Sequence, residues 1–185
     1  MQTFTVVLAL TAAIAGCDGE EHGGREKGAD PGEPSKRARR ADGGQHPISV
    51  SPTGKGCPGT RPSRTPPFPG EDFNYGNRYL GATLWPRGRL VASRGGATWG
   101  QILPDGSICA KVGWWRAVPG RLTIHGERLD GPAAALRASV PTGYGSTGFQ
   151  STGLTFPTPG CWRVAGRVAA HELEFVVFVT KRRAA

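Results

Sequence analysis

Four cysteines, at positions 17, 57, 109 and 161, carry the most reactive side chains of the 185-residue chain. They are far apart, and neither CxxC nor HxxxH occurs, so the short ligand pairs of a closed zinc site are missing. The four histidines are as scattered. His22 and His46 lie in or beside a polar stretch, His125 alternates with Thr123 on the polar side of an expected strand, and His171 precedes ELEF in a turn. Ser146 or Ser151 with His125 or His171 and Asp130 has the residue types of a triad, but spacing alone does not bring them together. Gly143-Tyr144-Gly145-Ser146-Thr147-Gly148 spells GxGxxG, a dinucleotide fingerprint only where a strand precedes it and a helix follows. FQSTGLTFP follows here and reads as strand or turn, so these glycines are expected to supply tight turns with positive φ. GxSxG elbows, HExxH helices, calcium loops and Walker sequences do not occur. No catalytic residue, cofactor or metal is assigned.

Stacking and charge remain. Residues 48–185 hold 17 bases and 7 acids, and 14 of the bases are arginine. Such an excess steers a domain towards acidic polymers or lipid headgroups, although GC-rich coding by itself also raises arginine. Trp114 and Trp115 are adjacent and on a strand face opposite sides. One enters the core; the other, beside Arg116, either stacks on a sugar ring or a partner's side chain or packs beneath the segment around Cys57, the simpler expectation. In CWRVAGRV, Trp162, Val164 and Val168 share one face and Cys161, Arg163 and Arg167 the other. The expected binding surface combines Arg163 and Arg167 with Arg116 and whichever of Trp114 and Trp115 points outward.

The leader places this chemistry. The apolar run from Phe4 to Ala15 is about twelve residues, against roughly 20 for a membrane-spanning helix, and suits the h-region of a secretory signal. The quartet Ile14-Ala15-Gly16-Cys17 that closes it resembles the lipobox of bacterial lipoproteins. That resemblance implies removal of residues 1–16, a lipidated Cys17 as the new N-terminus, and anchoring by several acyl chains at the extracytoplasmic face of the cell membrane. Residues 17–47 hold seven acids and six bases with almost no aliphatics, too little apolar surface to offset conformational entropy, so a disordered tether is expected. Lys36-Arg37-Ala38-Arg39-Arg40 within it reads as a solvated spacer with loose attraction to anionic headgroups. No nucleic-acid partner is expected.

From residue 78 onwards, apolar and polar residues alternate in short runs punctuated by Gly and Pro, without a helical period. An all-β chain follows. RYLGATLW, Pro86-Arg87-Gly88 and RLVAS read as a hairpin. SICAKVGWW, RLTIHGERL, ALRASV, GLTF, CWRVAGRV and ELEFVVFV read as further strands, and their number and spacing predict a sandwich over 48–183, preceded by a coil-like strap at about 57–77. In ELEFVVFV the glutamates are expected to face solvent.

PGCWRVAGRV…ELEFVVFV is similar to the last hairpin of bacterial immunoglobulin-like domains. TLWPRG, DGSI, WWRAVPGRLTIHGERLD, PTGYGSTGFQ and FPTPGCW together resemble a family of small bacterial lipoproteins over about residues 57 to 181, which implies an immunoglobulin-like β-sandwich and supplies no activity. Exported thiols pair, but Cys57, Cys109 and Cys161 leave one over. By parity Cys109 and Cys161 face outward, so Cys57–Cys161 and Cys109–Cys161 both remain open. The resemblance, which has no need of a cysteine at 109, favours Cys57–Cys161 with Cys109 left as a thiol. The expected function is that of a non-enzymatic, membrane-tethered module binding an anionic envelope polymer or a membrane protein. A small envelope hydrolase and a structural subunit of a membrane complex are the alternatives.

Overall fold

The computed structural model describes residues 56–63, 67–68, 73–95 and 99–182. The expected signal peptide, Cys17 and tether lie outside the described residues. The chain is β-sheet rich, with ten strands and one 3-10 turn among the described residues: β1 Tyr75–Gly76, β2 Leu80–Ala82, the turn Pro86–Gly88, β3 Arg89–Ser93, β4 Gly100–Ile102, β5 Ile108–Arg116, β6 Leu122–Arg128, β7 Arg137–Ser139, β8 Gly148–Phe156, β9 Gly160–Val168 and β10 His171–Lys181.

Strand β5 pairs with β8 along its whole length, and β8 with β7. The other edge of β5 is shared between β4 at its start and β2 at its end. Strands β6, β9 and β10 form an antiparallel set, with β3 parallel to β10. The β5/β8 half lies against the β9/β10 half around one core. Trp114 meets Phe175 at 6.0 Å, Phe156 meets Trp162 at 5.6 Å, and Trp85 stands edge-on to both Phe156 and Phe175. Gly166 is required beneath Trp114, because any Cβ there would overlap the indole ring.

The predicted hairpin over 78–93 does not form. Strand β2 pairs with β1 and β5, whereas β3 pairs in parallel with β10 and β4. The intervening residues cross the end of the core instead, burying Leu84 and Trp85. Gly88 makes that crossing possible: its φ is +65°, and a Cβ would come within 2.5 Å of the Thr60 carbonyl oxygen. Strand β8 begins earlier than the predicted GLTF. Its inward positions 150 and 152 are polar, and their donors are satisfied by the carbonyls of Pro141 and Val112.

The segment from Cys57 covers an edge. Strand β3 pairs with β10 only from Phe178 onwards, so the earlier half of that β10 edge would be unpaired, an arrangement that invites association with other chains. Thr60 fills the gap: its N–H donates to the Val176 carbonyl at 2.7 Å, and the Val176 N–H donates to Thr60 Oγ1 at 2.8 Å. Further along, Tyr75 Oη donates to the Glu174 carbonyl and Asn77 Nδ2 to that of Glu172. A disulfide joins Cys57 to Cys161, and both pack with Val176 and Phe178 in a small cluster on the outside of β9 and β10. Cys161 thus has outward parity yet is covered. Cys109 is buried and also disulfide-bonded, which corrects the expectation of a leftover thiol.

Candidate functional site

Strand parity puts Lys111, Gly113 and Trp115 of β5 on the side away from the core, beside Gly153, Ser151 and Phe149 of β8. Gly113, opposite Ser151, and Gly153, opposite Lys111, leave the middle of this face low. Larger side chains surround it. Trp99, 62% exposed, stands at one side and Phe149, 50% exposed, at the other. Together with Thr83, Lys111, Gly113 and Ser151 they line an open groove of about 250 Å³. Its floor depends on Gly113, where a Cβ would lie 3.0 Å from the Phe149 ring and 3.4 Å from Thr83 Oγ1. Phe149 is held upright by Phe73 at 6.2 Å and Tyr144 at 6.1 Å. Exposed aromatic carbons around a glycine floor offer flat apolar contact, while Lys111 and the hydroxyls of Thr83 and Ser151 offer hydrogen bonds.

The surface expected from sequence is not assembled. Trp114 is fully buried. Trp115 does point outward but is half covered, with Phe68 and Phe73 each 5.9 Å away. Arg116 has the parity of Trp114, and only 3% of it is exposed. Its guanidinium donates to the carbonyl of Gly120 at 2.9 Å, to that of Ser146 at 3.3 Å and to that of Gly145. It therefore ties together the 117–120 and 141–147 loops and is unavailable to a ligand. The carbonyls of Gly145 and Ser146 belong to the GxGxxG stretch, which ends in a strand and turns with positive φ at Gly143 and Gly148.

Arg163 and Arg167 lie on the outside of the opposite, β9 layer, away from Trp115. Neither carries a free charge. Arg163 pairs with Glu127 and lies 4.0 Å from Glu174, and Arg167 pairs with Glu172 at 2.8 Å. Two cations among three carboxylates do not make a cationic surface, so the binding role expected of this pair is withdrawn. The glutamates come from β6 and β10, which pairing places on either side of β9.

Every described carboxylate is spoken for: Asp130 bonds Arg128, and Asp105 pairs with Arg137. Hydrogen bonds from the Ser107 hydroxyl and N–H, with Arg137 nearby, hold the Asp105 carboxyl below its ordinary range. Burial, reinforced by the Glu174 charge, raises the Tyr75 phenol above its ordinary value. By contrast Lys111 has no carboxylate partner among the described residues. His171 stacks on Tyr79 at 3.7 Å, and His125 is exposed on β6. Among the described residues no group of three or more His, Cys, Asp and Glu is placed to hold a metal, and no helix is long and apolar enough to cross a membrane.

Sequence reasoning missed Trp99, Phe149 and Lys111. The available signal was parity: Lys111 is two residues from Gly113 and four from Trp115, all on the non-core face. Nothing local shows that Trp99 and Phe149 flank them, because Trp99 lies outside any strand and Phe149 arrives through β5–β8 pairing. No protein-family model matches the chain, and no curated protein matches it.

Proposed function

We propose that the chain is a lipid-anchored extracytoplasmic binding module, in which an immunoglobulin-like β-sandwich presents the Trp99–Phe149 groove to a glycan-bearing anionic polymer of the cell envelope. What supports the sandwich is the packing of two β layers face to face over one core, as in immunoglobulin domains: β5 and β8 lie on one side and β9 and β10 on the other, while β3, parallel to both β4 and β10, joins the two sides into one ten-stranded sheet.

The observation that carries the function is two large aromatic side chains left half or more exposed around a glycine floor, beside an ammonium with no carboxylate partner among the described residues. Aromatic anchors in such positions dominate binding energy, and a pyranose ring has the flat C–H face they accept. Sheet hydrogen bonding has already occupied the backbone beneath the groove, so a peptide would gain little main-chain pairing there. Hydroxyl-rich chains need only side-chain donors and acceptors, which Thr83, Ser151 and Lys111 provide.

The test is retention of the purified chain on immobilised acidic envelope polysaccharide. Trp99→Ala and Phe149→Ala should each weaken binding by about 1 to 3 kcal/mol, and Trp99→Ala should do so at an unchanged melting temperature because that side chain is 62% exposed. Unaltered retention in both variants would remove the groove from consideration. For the anchor, Cys17→Ala should shift the chain from the membrane to the soluble fraction. With Cys57 and Cys161 joined to each other, Cys17 is the only cysteine left to partner Cys109, and one sulfur cannot carry both a thioether and a disulfide. The anchor and that bond exclude each other, and recovery of Cys17 in a disulfide-linked peptide from the native membrane would sink the anchor.

A further inference from the structure

The positive charge expected near Cys161 exists, but on other residues. Gly88 packs against the backbone of Gly59 and Thr60, which brings Arg87 and Arg89 beside Arg61. The Arg89 guanidinium lies over the Phe178 ring, 5.7 Å from its centroid. Phe178 belongs to the cluster around the Cys57–Cys161 disulfide. Arg61, Arg87 and Arg89 are all exposed, and none has a carboxylate partner among the described residues. Three unneutralised guanidiniums therefore surround the point where the chain enters the domain, next to a partly exposed aromatic ring. This lies on the layer opposite the groove.

We infer that this patch docks on the anionic phospholipid headgroups of the membrane to which the chain is tethered. The inference rests on the anchor reading above and adds an orientation to it. Two observations select a lipid surface. The patch is spread over three separate segments, the strap, the 3-10 turn and β3, which suits a plane of many phosphates. The Cys57–Cys161 disulfide also fixes Cys57, the point from which the tether of the proposed anchor runs, within the patch. Docking there turns the Trp99–Phe149 groove away from the bilayer and towards the envelope polymer.

The full chain is incorporated into vesicles of phosphatidylcholine alone or mixed with phosphatidylglycerol, and arginine modification by phenylglyoxal is followed peptide by peptide. Exposed Arg121 serves as the internal reference. Each basic residue near an anionic surface is attracted enough for about a fivefold change in occupancy. Arg61, Arg87 and Arg89 should thus be modified at least about fivefold more slowly in the anionic vesicles, and high salt should abolish the difference. Modification at equal rates in both vesicle types, with the chain sedimenting with each, overturns the patch while leaving the anchor intact. Failure to sediment with phosphatidylcholine vesicles counts against the anchor itself. If soluble polyphosphate protects the three arginines as well as vesicles of matched phosphate content do, the surface serves a free polymer and the membrane assignment is wrong.

Discussion

Replacing Cys57 and Cys161 together by serine should cost most of the stability one covalent bond can supply. The bridge closes a loop with a sequence separation of 104, and the chain-entropy relation for that length gives about 4.7 kcal/mol, acting mainly by restricting the unfolded chain. Two contacts work against a larger figure: the paired hydrogen bonds between Thr60 and Val176 hold the strap on β10 without the disulfide. For a domain of about 125 residues, total stability is of order 6 to 19 kcal/mol, so the loss is a large share. At roughly 2.1 cal/mol/K of unfolding entropy per residue the melting temperature should fall by about 18 °C. Thermal and urea unfolding of the double variant, followed by circular dichroism, measure this. Reductant is a poorer test because it also opens the disulfide at Cys109. The urea slope should rise as well, since a less constrained unfolded state exposes more surface. A loss under about 1 kcal/mol with an unchanged slope would refute the entropic argument and leave the strap held by the Thr60 contacts.

Arg116→Ala should cost about 1.5 to 3 kcal/mol, because it removes the charged donor that ties the carbonyls of Gly120, Gly145 and Ser146 together across two loops; chemical denaturation showing a change below about 0.5 kcal/mol would contradict that role. Arg116→Lys should recover only part of the loss, an ammonium being unable to fork between two loops. Tyr75, raised by burial and by Glu174, should ionise above the ordinary phenol value, seen as the step that Tyr75→Phe removes from an ultraviolet alkaline titration. Since its neutral form is favoured in the fold, its contribution is complete below the ordinary phenol value and is lost as pH climbs through the raised one. Tyr75→Phe should flatten the decline of stability in that alkaline window, and loss of a step at the ordinary phenol value in that variant would refute the assignment.

The strands were legible because their evidence is local. Alternation in CWRVAGRV and ELEFVVFV puts Trp162, Val164, Phe175 and Val177 inward, where they are buried, and leaves the glutamates at 172 and 174 outward. The same parity held a warning about Arg116, two residues from Trp114 and therefore inward once Trp114 enters the core. Parity says which side a residue faces, but not what waits there. Arg163 and Arg167 look like a positive surface until β6 and β10 bring Glu127, Glu172 and Glu174 beside them.

By itself the sequence determined an all-β chain, the inner and outer face of its principal strands, and candidate cysteine pairings, all of which follow from residue type and a period of two. Tertiary structure decided that 78–93 is a crossing between the two halves of the sheet, that Trp115 rather than Trp114 is the indole packed against the strap, at Phe68 and Phe73, and that Trp99 and Phe149 line one groove with Gly113. It also moved the unpaired charge from Arg163 and Arg167 to Arg61, Arg87 and Arg89. Strand partners such as β3 and β10 are nearly the length of the domain apart, and their choice depends on how the whole core closes. Neutralisation, covering and grooves depend on those partners, so no local pattern encodes them.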